Sequence, residues 1–247
     1  MRLCLLIVFF SFLCNKTFAQ YEQSTWQIGA HAGYSVYQGD LTPNTFSGYK
    51  SLSYYFGISG TKIIDPYFSV KLRASYGNIK ADESRFGDFH PDRAFSFSTK
   101  ITEITPLFSW NIFGNNFQEI DQAFSPYLFA GVGMTFMSVN RDFSKINRNV
   151  FTPNHWVNKG MVVDSATSLP SSAFLIPIGA GTEYYINDDF SLTADFTYRF
   201  CFTDYLDGVS KSGNSKRNDT YHTLTIGFIH TLFSGSAGGI KNPRPVF

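Results

Sequence analysis

The strongest constraint on how this chain can fold is an alternation of apolar and polar residues that recurs in eight segments. Between Phe190 and Phe202 every second residue is apolar, and Asp195 and Arg199 occupy two of the positions between them. Successive side chains of a β-strand point to opposite faces, so this period predicts strands with one apolar and one polar face. The predicted strands cover residues 25–38, 51–63, 67–80, 94–113, 126–139, 173–186, 190–203 and 220–233.

The length of these segments and their lack of charge indicate strands that cross a membrane. They contain 13–20 residues, whereas a tilted strand needs only about 9–11 residues to cross a bilayer. The central positions of their apolar faces carry no Asp, Glu, Lys or Arg, and only 16% of the whole chain is charged. The alternative is a soluble β-sandwich or lipocalin-like barrel, which turns its apolar face inward, and soluble proteins average about 25% charged residues.

The connections between the predicted strands alternate in length. Those after strands two, four and six are short, whereas those after strands one, three, five and seven include the long segments 140–172 and 204–219. Short periplasmic turns and longer extracellular loops are typical of outer-membrane barrels. The sequence therefore predicts an all-β fold, an eight-stranded antiparallel transmembrane β-barrel over residues 20–233, with both ends in the periplasm.

The N-terminus has the features of a cleavable export signal. Arg2 precedes an apolar run over residues 3–13, and small residues follow that run. We therefore predict a signal peptide over residues 1–19 and, beyond the barrel, a periplasmic tail over residues 234–247. Cys201 is then the only cysteine of the exported chain, so no disulfide within the chain is expected.

One predicted strand breaks the regular alternation. Within residues 94–113, Phe95, Phe97 and Ile101 share one phase, whereas Ile104 and the apolar residues after it have the other phase. A β-bulge inserts one extra residue and would return all of these side chains to the lipid-facing side. We therefore predict a bulge between Ile101 and Ile104.

The polar faces of the predicted strands carry charged residues that need partners. An eight-stranded barrel has an interior just wide enough for side chains to fill it, and a buried charge without a partner costs several kcal/mol. We predict an ion-pair network that closes the interior, in preference to a conducting or catalytic channel. Its members are Lys71, Arg73, Lys100, Glu103, Glu183, Asp195 and Arg199.

Aromatic residues make up 18% of the chain, and several stand near the ends of the predicted strands. Outer-membrane barrels carry a girdle of aromatic side chains at each membrane surface. The residues predicted to form these girdles are Trp26, Tyr34, Tyr54, Tyr76, Trp110 and Tyr184.

Residue patterns for catalysis or metal binding are sparse. None of the five histidines stands at metal-ligand spacing from another His or Cys, and no glycine-rich phosphate loop leads from a strand into a helix. We therefore expect no cofactor, no metal ion and no enzymatic activity, although serines near His155 leave an outer-membrane lipid-modifying enzyme as an alternative. The net charge of +1 gives no indication of a nucleic-acid partner.

Two aspartates follow the seventh predicted strand, and two interpretations stay open for them. Asp204 and Asp207 could bind calcium together with loop carbonyl groups, because calcium prefers oxygen ligands. Alternatively, their carboxylates accept hydrogen bonds from backbone N–H groups and pin the turn of the loop. The spacing lacks the repeated acidic pattern of a calcium loop, which favours the second interpretation.

Four strings of the sequence resemble those of a known family. They are YQGDL at 37–41, FSPYLFAG at 124–131, IPIGAG at 176–181 and TDYLDGVS at 203–210. Together they resemble the PorG-like outer-membrane β-barrel proteins of Bacteroidetes, and the likeness extends over the chain that remains after the signal peptide. The motif residues of this resemblance are Asp40, Asp204, Tyr205, Asp207 and Gly208.

The resemblance implies a function as well as a fold. Members of this family are non-enzymatic barrels, and the resemblance implies association with the type IX secretion and gliding machinery. The implied partners are periplasmic secretion-ring subunits, a lipoprotein and its partner, besides the outer-membrane lipid bilayer. Partner contact is expected at the turn 114–125 and at the tail. A surface-loop binder or adhesin, or an envelope-integrity protein, is the alternative function.

Overall fold

The structure is a computed structural model, and it describes residues 25–43, 47–87, 90–118, 122–147, 149–213 and 218–233. The predicted signal peptide over residues 1–19 and the predicted tail over residues 234–247 lie outside the described residues. Within the described part of the chain, no helix is long and apolar enough to cross a membrane.

In the described residues, the strands form one antiparallel sheet that closes on itself. Strands β1 to β4 pair in sequence order, as do β7 to β9, while β5 and β6 each pair with β4 and with β7. The pairing of β1 with β9 completes the ring. A closed ring pairs the backbone N–H and C=O groups that would otherwise face hydrocarbon unsatisfied. The strands are β1 (Trp26–Gln38), β2 (Ser53–Ile63), β3 (Phe68–Asp82), β4 (Ser96–Asn111), β5 (Phe124–Gly131), β6 (Gly133–Asp142), β7 (Ser172–Tyr185), β8 (Phe190–Cys201) and β9 (Thr220–Phe233).

The segments β5 and β6 are one strand that is interrupted at Val132. Both segments pair with β4 and with β7 in an unbroken register. Val132 lies beside Pro106 of β4, and Pro177 of β7 stands next to the Ala130–Ile178 pair. Proline has no N–H to donate to a sheet, so each of these prolines removes one donor here, although the Val132 N–H still donates to the Pro106 carbonyl at 3.3 Å. The ring therefore has the eight strands that the sequence predicts, with the interruption explained by the two prolines.

The strands are tilted because their register shifts around the ring. We start at Ile101 of β4 and move from each residue to its paired residue on the next strand until the ring is complete. This path returns to β4 at Asn111, ten residues further along the strand. Barrels with such a stagger have strands inclined by about 35–45° to the axis. Trp26 and Phe233 lie at the end that carries the short connections. Following the orientation predicted from the sequence, we call it the periplasmic end, and we call the end with the long loops the extracellular end.

The outer face of the ring is apolar, as predicted. Ile58, Leu72 and Ile226 have 65%, 55% and 68% of their surface exposed. On each strand, the residues that alternate with these exposed ones point into the barrel. The alternation in the sequence therefore separates the lipid-facing side from the interior. A continuous apolar surface of this extent marks a membrane-contacting face, since lipid chains cover it where water would not. The fold is therefore an antiparallel transmembrane β-barrel.

The strand β4 differs from the sequence prediction near its extracellular end. It pairs with β3 without a register shift, so the predicted bulge between Ile101 and Ile104 is absent. Phe95, Phe97 and Ile101 are at most 4% exposed and lie inside the barrel, whereas Ile104 is 49% exposed on the outer face. The bulge prediction was wrong because the interior itself becomes apolar at this level.

This extracellular part of the interior forms an apolar core. Inward side chains from several strands pack there against the loop that follows β8, whose Leu206 and Val209 are almost fully buried. Cys201 is a free thiol inside the same core. The members of the core include Ile79, Phe95, Phe97, Ile101, Met137, Leu175, Cys201, Leu206 and Val209.

Replacing Ile101 by Ala should destabilise the barrel more than replacing Ile104 by Ala. The first change leaves a cavity in a packed core, which costs about 2–5 kcal/mol. The second removes atoms that face lipid, where acyl chains fill the space and only the transfer contribution is lost. Denaturant unfolding of protein refolded in lipid vesicles measures both changes. Equal losses, or a larger loss at Ile104, would contradict the phase of β4 described above.

Candidate functional site

Arg199 and Glu103 form the centre of the barrel interior. Arg199 projects from β8, and its Nε donates to Glu103 Oε2 of β4 at 2.9 Å. The other guanidinium nitrogens donate to the Tyr55 hydroxyl at 2.6 Å and to Thr223 Oγ1 at 2.9 Å. The Tyr221 hydroxyl donates to the second oxygen of Glu103. Every side of this ion pair is therefore occupied by hydrogen-bonding partners from across the ring.

A second ion pair lies in the same interior. Arg73 of β3 donates to Asp195 Oδ2 of β8 at 2.6 Å, and the side chains of both residues are almost fully buried. The Tyr127 hydroxyl donates to the other oxygen of Asp195. Beside this pair, the His31 ring nitrogen Nε2 lies 3.1 Å from the Ser75 hydroxyl. The structure thus joins four of the predicted network residues in two pairs that each span the barrel.

Lys71 and Glu183 belong to the interior but not to an ion pair. Both line a small polar cavity toward the periplasmic end, and neither forms a salt bridge within the described residues. The Lys71 ammonium lies 5.2 Å from the centre of the Tyr127 ring, and Glu183 accepts a hydrogen bond from the Ser191 hydroxyl. These two charges are therefore separate from the two pairs above.

Lys100 is outside the barrel, and its assignment to the interior network was wrong. The inward positions of β4 are Thr99, Ile101 and Glu103, all nearly inaccessible, whereas Lys100 between them is exposed. The error has the same cause as the predicted bulge, which assigned Ile101 to the lipid-facing side.

The periplasmic mouth is covered by the turn that follows β4. Asn115 in this turn is fully buried, and its carbonyl accepts a hydrogen bond from the Tyr185 hydroxyl at 3.0 Å. The Asn111 side-chain nitrogen donates to Asn116 Oδ1 at 3.1 Å and to the Ser125 hydroxyl at 2.6 Å. The turn is therefore fixed against the end of the barrel.

The extracellular mouth is closed by the segment 202–219, which we call the cap loop and which is described at 202–213 and 218–219. Thr99 inside the barrel donates to the Leu206 carbonyl at 2.7 Å, and Arg141 Nη1 donates to the Gly208 carbonyl at 2.9 Å. Gly208 has a φ of 80°, in the left-handed region that favours glycine. The TDYLDGVS string therefore forms a plug that enters the barrel.

Tyr37 holds this plug through two carboxyl groups. Its hydroxyl lies 2.6 Å from Asp207 Oδ2 and 2.8 Å from Asp219 Oδ1, and all three side chains are buried. One hydroxyl proton cannot be donated fully to two carboxylates, so this arrangement favours a protonated carboxyl group in the pair. Burial raises the pKa of Asp219 to about 8. Burial, together with the negative charge of Asp219, raises the pKa of Asp207 well above its usual range.

The remaining bonds of these aspartates favour the second interpretation given for Asp207. Its other oxygen accepts the Val209 N–H at 2.8 Å, and Asp219 accepts the Leu206 N–H at 3.0 Å. Asp204 lies half-buried in the cap loop, where burial raises its pKa to about 6. Among the described residues, no group of three or more His, Cys, Asp or Glu side chains is arranged to hold a metal ion.

The other long loops are tied to the cap loop. The helix α1 (Trp156–Ala166) contributes Asp164, which accepts the N–H groups of Lys211 at 3.0 Å and Ser212 at 2.9 Å. The Tyr205 hydroxyl contacts Asp164 at 3.4 Å. The loop between β6 and β7 is thereby joined to the cap loop.

The loops 39–52 and 83–95 join this cap through Arg93. Its guanidinium pairs with buried Glu83 and donates to the carbonyls of Asp40 and Ser212, each at 3.1 Å. Sequence reasoning missed Arg93 and Glu83 along with Tyr37, Asp164 and Asp219. Of these five residues, only Tyr37 was marked by the sequence, because it belongs with Asp40 to the YQGDL string.

The predicted interface aromatics all lie on the outer face, at two levels. Trp26, Trp110 and Tyr184 stand near the periplasmic ends of their strands, and Tyr34, Tyr54 and Tyr76 lie toward the extracellular side. The rings of Tyr54 and Tyr76 stack with their centres 6.2 Å apart. That these two levels form the girdles at the two membrane surfaces stays a prediction.

Replacing Arg199 by Met should destabilise the barrel by about 3–5 kcal/mol, because Glu103 is left as a buried charge without its partner. Adding Glu103→Gln to the same chain should restore part of this loss. Unfolding in lipid vesicles of both single variants and the double variant gives the coupling energy. Strictly additive losses would show that the two residues do not act as a pair.

Raising the pH should loosen the cap loop. The pKa of Asp219 in the folded protein, about 8, lies above the value of about 3.9 for an unfolded aspartate. Between these values the folded state binds more protons, so its stability falls as the pH rises from about 4 to about 8. Hydrogen exchange of the cap loop, corrected for the intrinsic pH dependence, should show decreasing protection over this range. The Asp219→Asn variant should show a weaker dependence, because Asp207, whose pKa burial also raises, is still present. An unchanged dependence would contradict the assignment.

Comparison with known proteins gives the family. The family model for the outer membrane protein beta-barrel domain matches residues 5–229. No curated protein sequence matches the chain. The solved Neisserial surface protein A is 13% identical, with 84% of this chain and 97% of that chain covered and a TM-score of 0.48. OprG from Pseudomonas aeruginosa is 15% identical, with 86% and 97% covered and a TM-score of 0.43.

The attachment invasion locus protein Ail of Yersinia pestis is 13% identical, with 85% of this chain and 98% of that chain covered and a TM-score of 0.42. The family match covers most of the chain and agrees with the closed antiparallel ring and its apolar outer face. The chain therefore belongs to the outer membrane protein beta-barrel domain family, and it resides in the outer membrane.

Proposed function

We propose that this protein is a non-enzymatic accessory barrel of the type IX secretion machinery, which acts through its two ends and not through its interior. The observation that carries this proposal is the filled interior. The Arg73–Asp195 and Arg199–Glu103 pairs, the apolar core and the cap loop fill the barrel between the covered periplasmic mouth and the extracellular end. The strings that resemble the PorG-like family support the secretion role.

The periplasmic end offers the surface for secretion-ring subunits in this proposal. The turn after β4 is held in place by Asn115, and beside it Ile112 and Phe113 are 40% and 46% exposed. Apolar side chains on a fixed turn suit a protein partner, since ordering the surface costs little on binding. The expected partners are the ring lipoprotein and its partner subunit.

The contacts of His155 support a structural interpretation over a lipid-modifying enzyme. Its Nδ1 accepts a hydrogen bond from the Val157 N–H at 3.2 Å and thereby caps the first turn of α1. Its ring also packs edge to face with the Phe151 ring, with the ring centres 4.9 Å apart. These two contacts hold the His155 ring in place as the cap of α1, which is a structural role.

A second candidate function is binding through the extracellular surface. It is favoured by the outward side of α1, where Trp156, Val162 and Val163 are 56%, 66% and 49% exposed. The cap fixes this helix through Asp164. An exposed apolar patch on a fixed extracellular helix is typical of a protein-binding surface.

A pull-down from detergent-solubilised outer membrane, with captured proteins identified by mass spectrometry, separates the two functions. We expect the wild-type barrel to retain both secretion-ring subunits. The Phe113→Ser variant should lose them, because it removes an exposed apolar contact at the periplasmic turn, whereas the matched Val162→Ser variant in α1 should keep them.

Absence of the ring subunits from the wild-type sample would contradict the secretion role. Loss of a bound protein only in the Val162→Ser variant would favour the surface binder. Deletion of the gene should also stop secretion of cargo through this machinery, and unaffected secretion would contradict the proposal.

A further inference from the structure

The outer wall of β3, β4 and β6 changes from apolar to polar at a common level. Ala74, Ile104 and Met134 are paired across these strands, and so are Tyr76, Thr102 and Phe136 one step nearer the extracellular end. The next two steps are wholly polar. They consist of Asn78, Lys100 and Ser138, and then of Lys80, Ser98 and Asn140.

Lys80 and Lys100 are diagonal neighbours on this polar wall. Lys100 is paired with Asn78, and Lys80 is paired with Ser98, so their side chains are about 7–8 Å apart at the base. The Ser98 hydroxyl donates to Asn78 Oδ1 at 3.0 Å and holds the amide between the two lysines. We call these four residues, Asn78, Lys80, Ser98 and Lys100, the basic wall site.

The charges around the basic wall site leave its two lysines unneutralised. Neither lysine forms a salt bridge within the described residues. Asp82 and Asp142 lie one step further from the membrane, and Asp82 is paired with Lys145 at 3.2 Å. The site therefore presents two ammonium groups and an amide on the side nearest the lipid.

The predicted aromatic girdle places the site at the level of the lipid headgroups. Two residues along a strand span about 6.6–6.8 Å, so Lys100 lies one such step beyond the interfacial ring of Tyr76. The outward positions at the extracellular ends of β8 and β9 carry Tyr198, Phe200, His222 and Leu224, without a lysine. These two strands therefore carry no lysine at the level of the basic wall site.

We propose that the basic wall site binds the phosphate group of an anionic lipid in the outer leaflet. The site is continuous with the lipid-facing surface, and its charge is complementary to a phosphate headgroup. Two lysines at this distance can contact separate oxygens of one phosphate, while the amide nitrogen of Asn78 supplies a further donor. This inference does not depend on the proposed secretion role.

Native mass spectrometry of the full chain in detergent, titrated with phosphatidylglycerol, tests the proposal. Each of Lys80→Gln and Lys100→Gln should weaken lipid binding about fivefold, and the double variant about 25-fold, as expected for loss of a lysine at an anionic surface. The matched control Lys159→Gln removes an exposed charge from α1 and should change binding less than twofold. Phosphatidylcholine should bind all variants equally, and inorganic phosphate should not displace the lipid.

Equal binding of phosphatidylglycerol by the wild type and the double variant would overturn the proposal. An equal loss in the Lys159→Gln variant would overturn it as well, because the effect would then follow net charge. Displacement by inorganic phosphate would identify a site for free phosphate in place of a lipid. Heat-modifiable gel migration checks folding, and the two single variants provide the test if the double variant does not fold.

Discussion

The structure depends on one constraint, that backbone N–H and C=O groups inside a membrane must be paired within the protein. The pairing of β1 with β9 meets this constraint by closing the ring. Closure then fixes the tilt of the strands and the separation of their two faces. The period of two in the sequence follows, because successive side chains of each strand face lipid and the interior in turn. Even the interruption at Val132 follows from the pairing rule, since Pro106 beside it has no N–H to give.

The narrow interior is the second consequence of closing eight strands. Side chains must fill it, and it is filled in two different ways along the axis. Toward the middle, charged residues such as Arg199 and Glu103 satisfy one another with the help of buried tyrosines. Toward the extracellular end, apolar side chains pack against Leu206 of the cap loop. The same interior therefore changes from a polar network to an ordinary protein core, and the loops above complete that core.

The sequence was sufficient to predict those parts of the fold that depend on contact with lipid. Strand positions, the number of strands in the ring and the outward face of β8 could all be predicted, because no charge is tolerated opposite the acyl chains. Ile101 and Lys100 could not be assigned to the correct faces from the sequence. At their level the interior is apolar, so the apolar residue faces inward and the charged residue faces outward. The Tyr37–Asp207–Asp219 contact was also out of reach, since it joins residues far apart in sequence and depends on how the cap loop enters the barrel. The paired charges were recognised as interior residues, but their individual partners required the register of the ring.

The central claim is that the interior is closed, so that this barrel works through its surfaces. Single-channel recording of the refolded protein in a planar bilayer tests this claim most directly. We expect no conductance steps from the wild type, either at neutral pH or at pH values where the cap loop is loosened, because the ion pairs beneath the cap remain. Reproducible conductance steps from the wild-type protein would show that the interior is open.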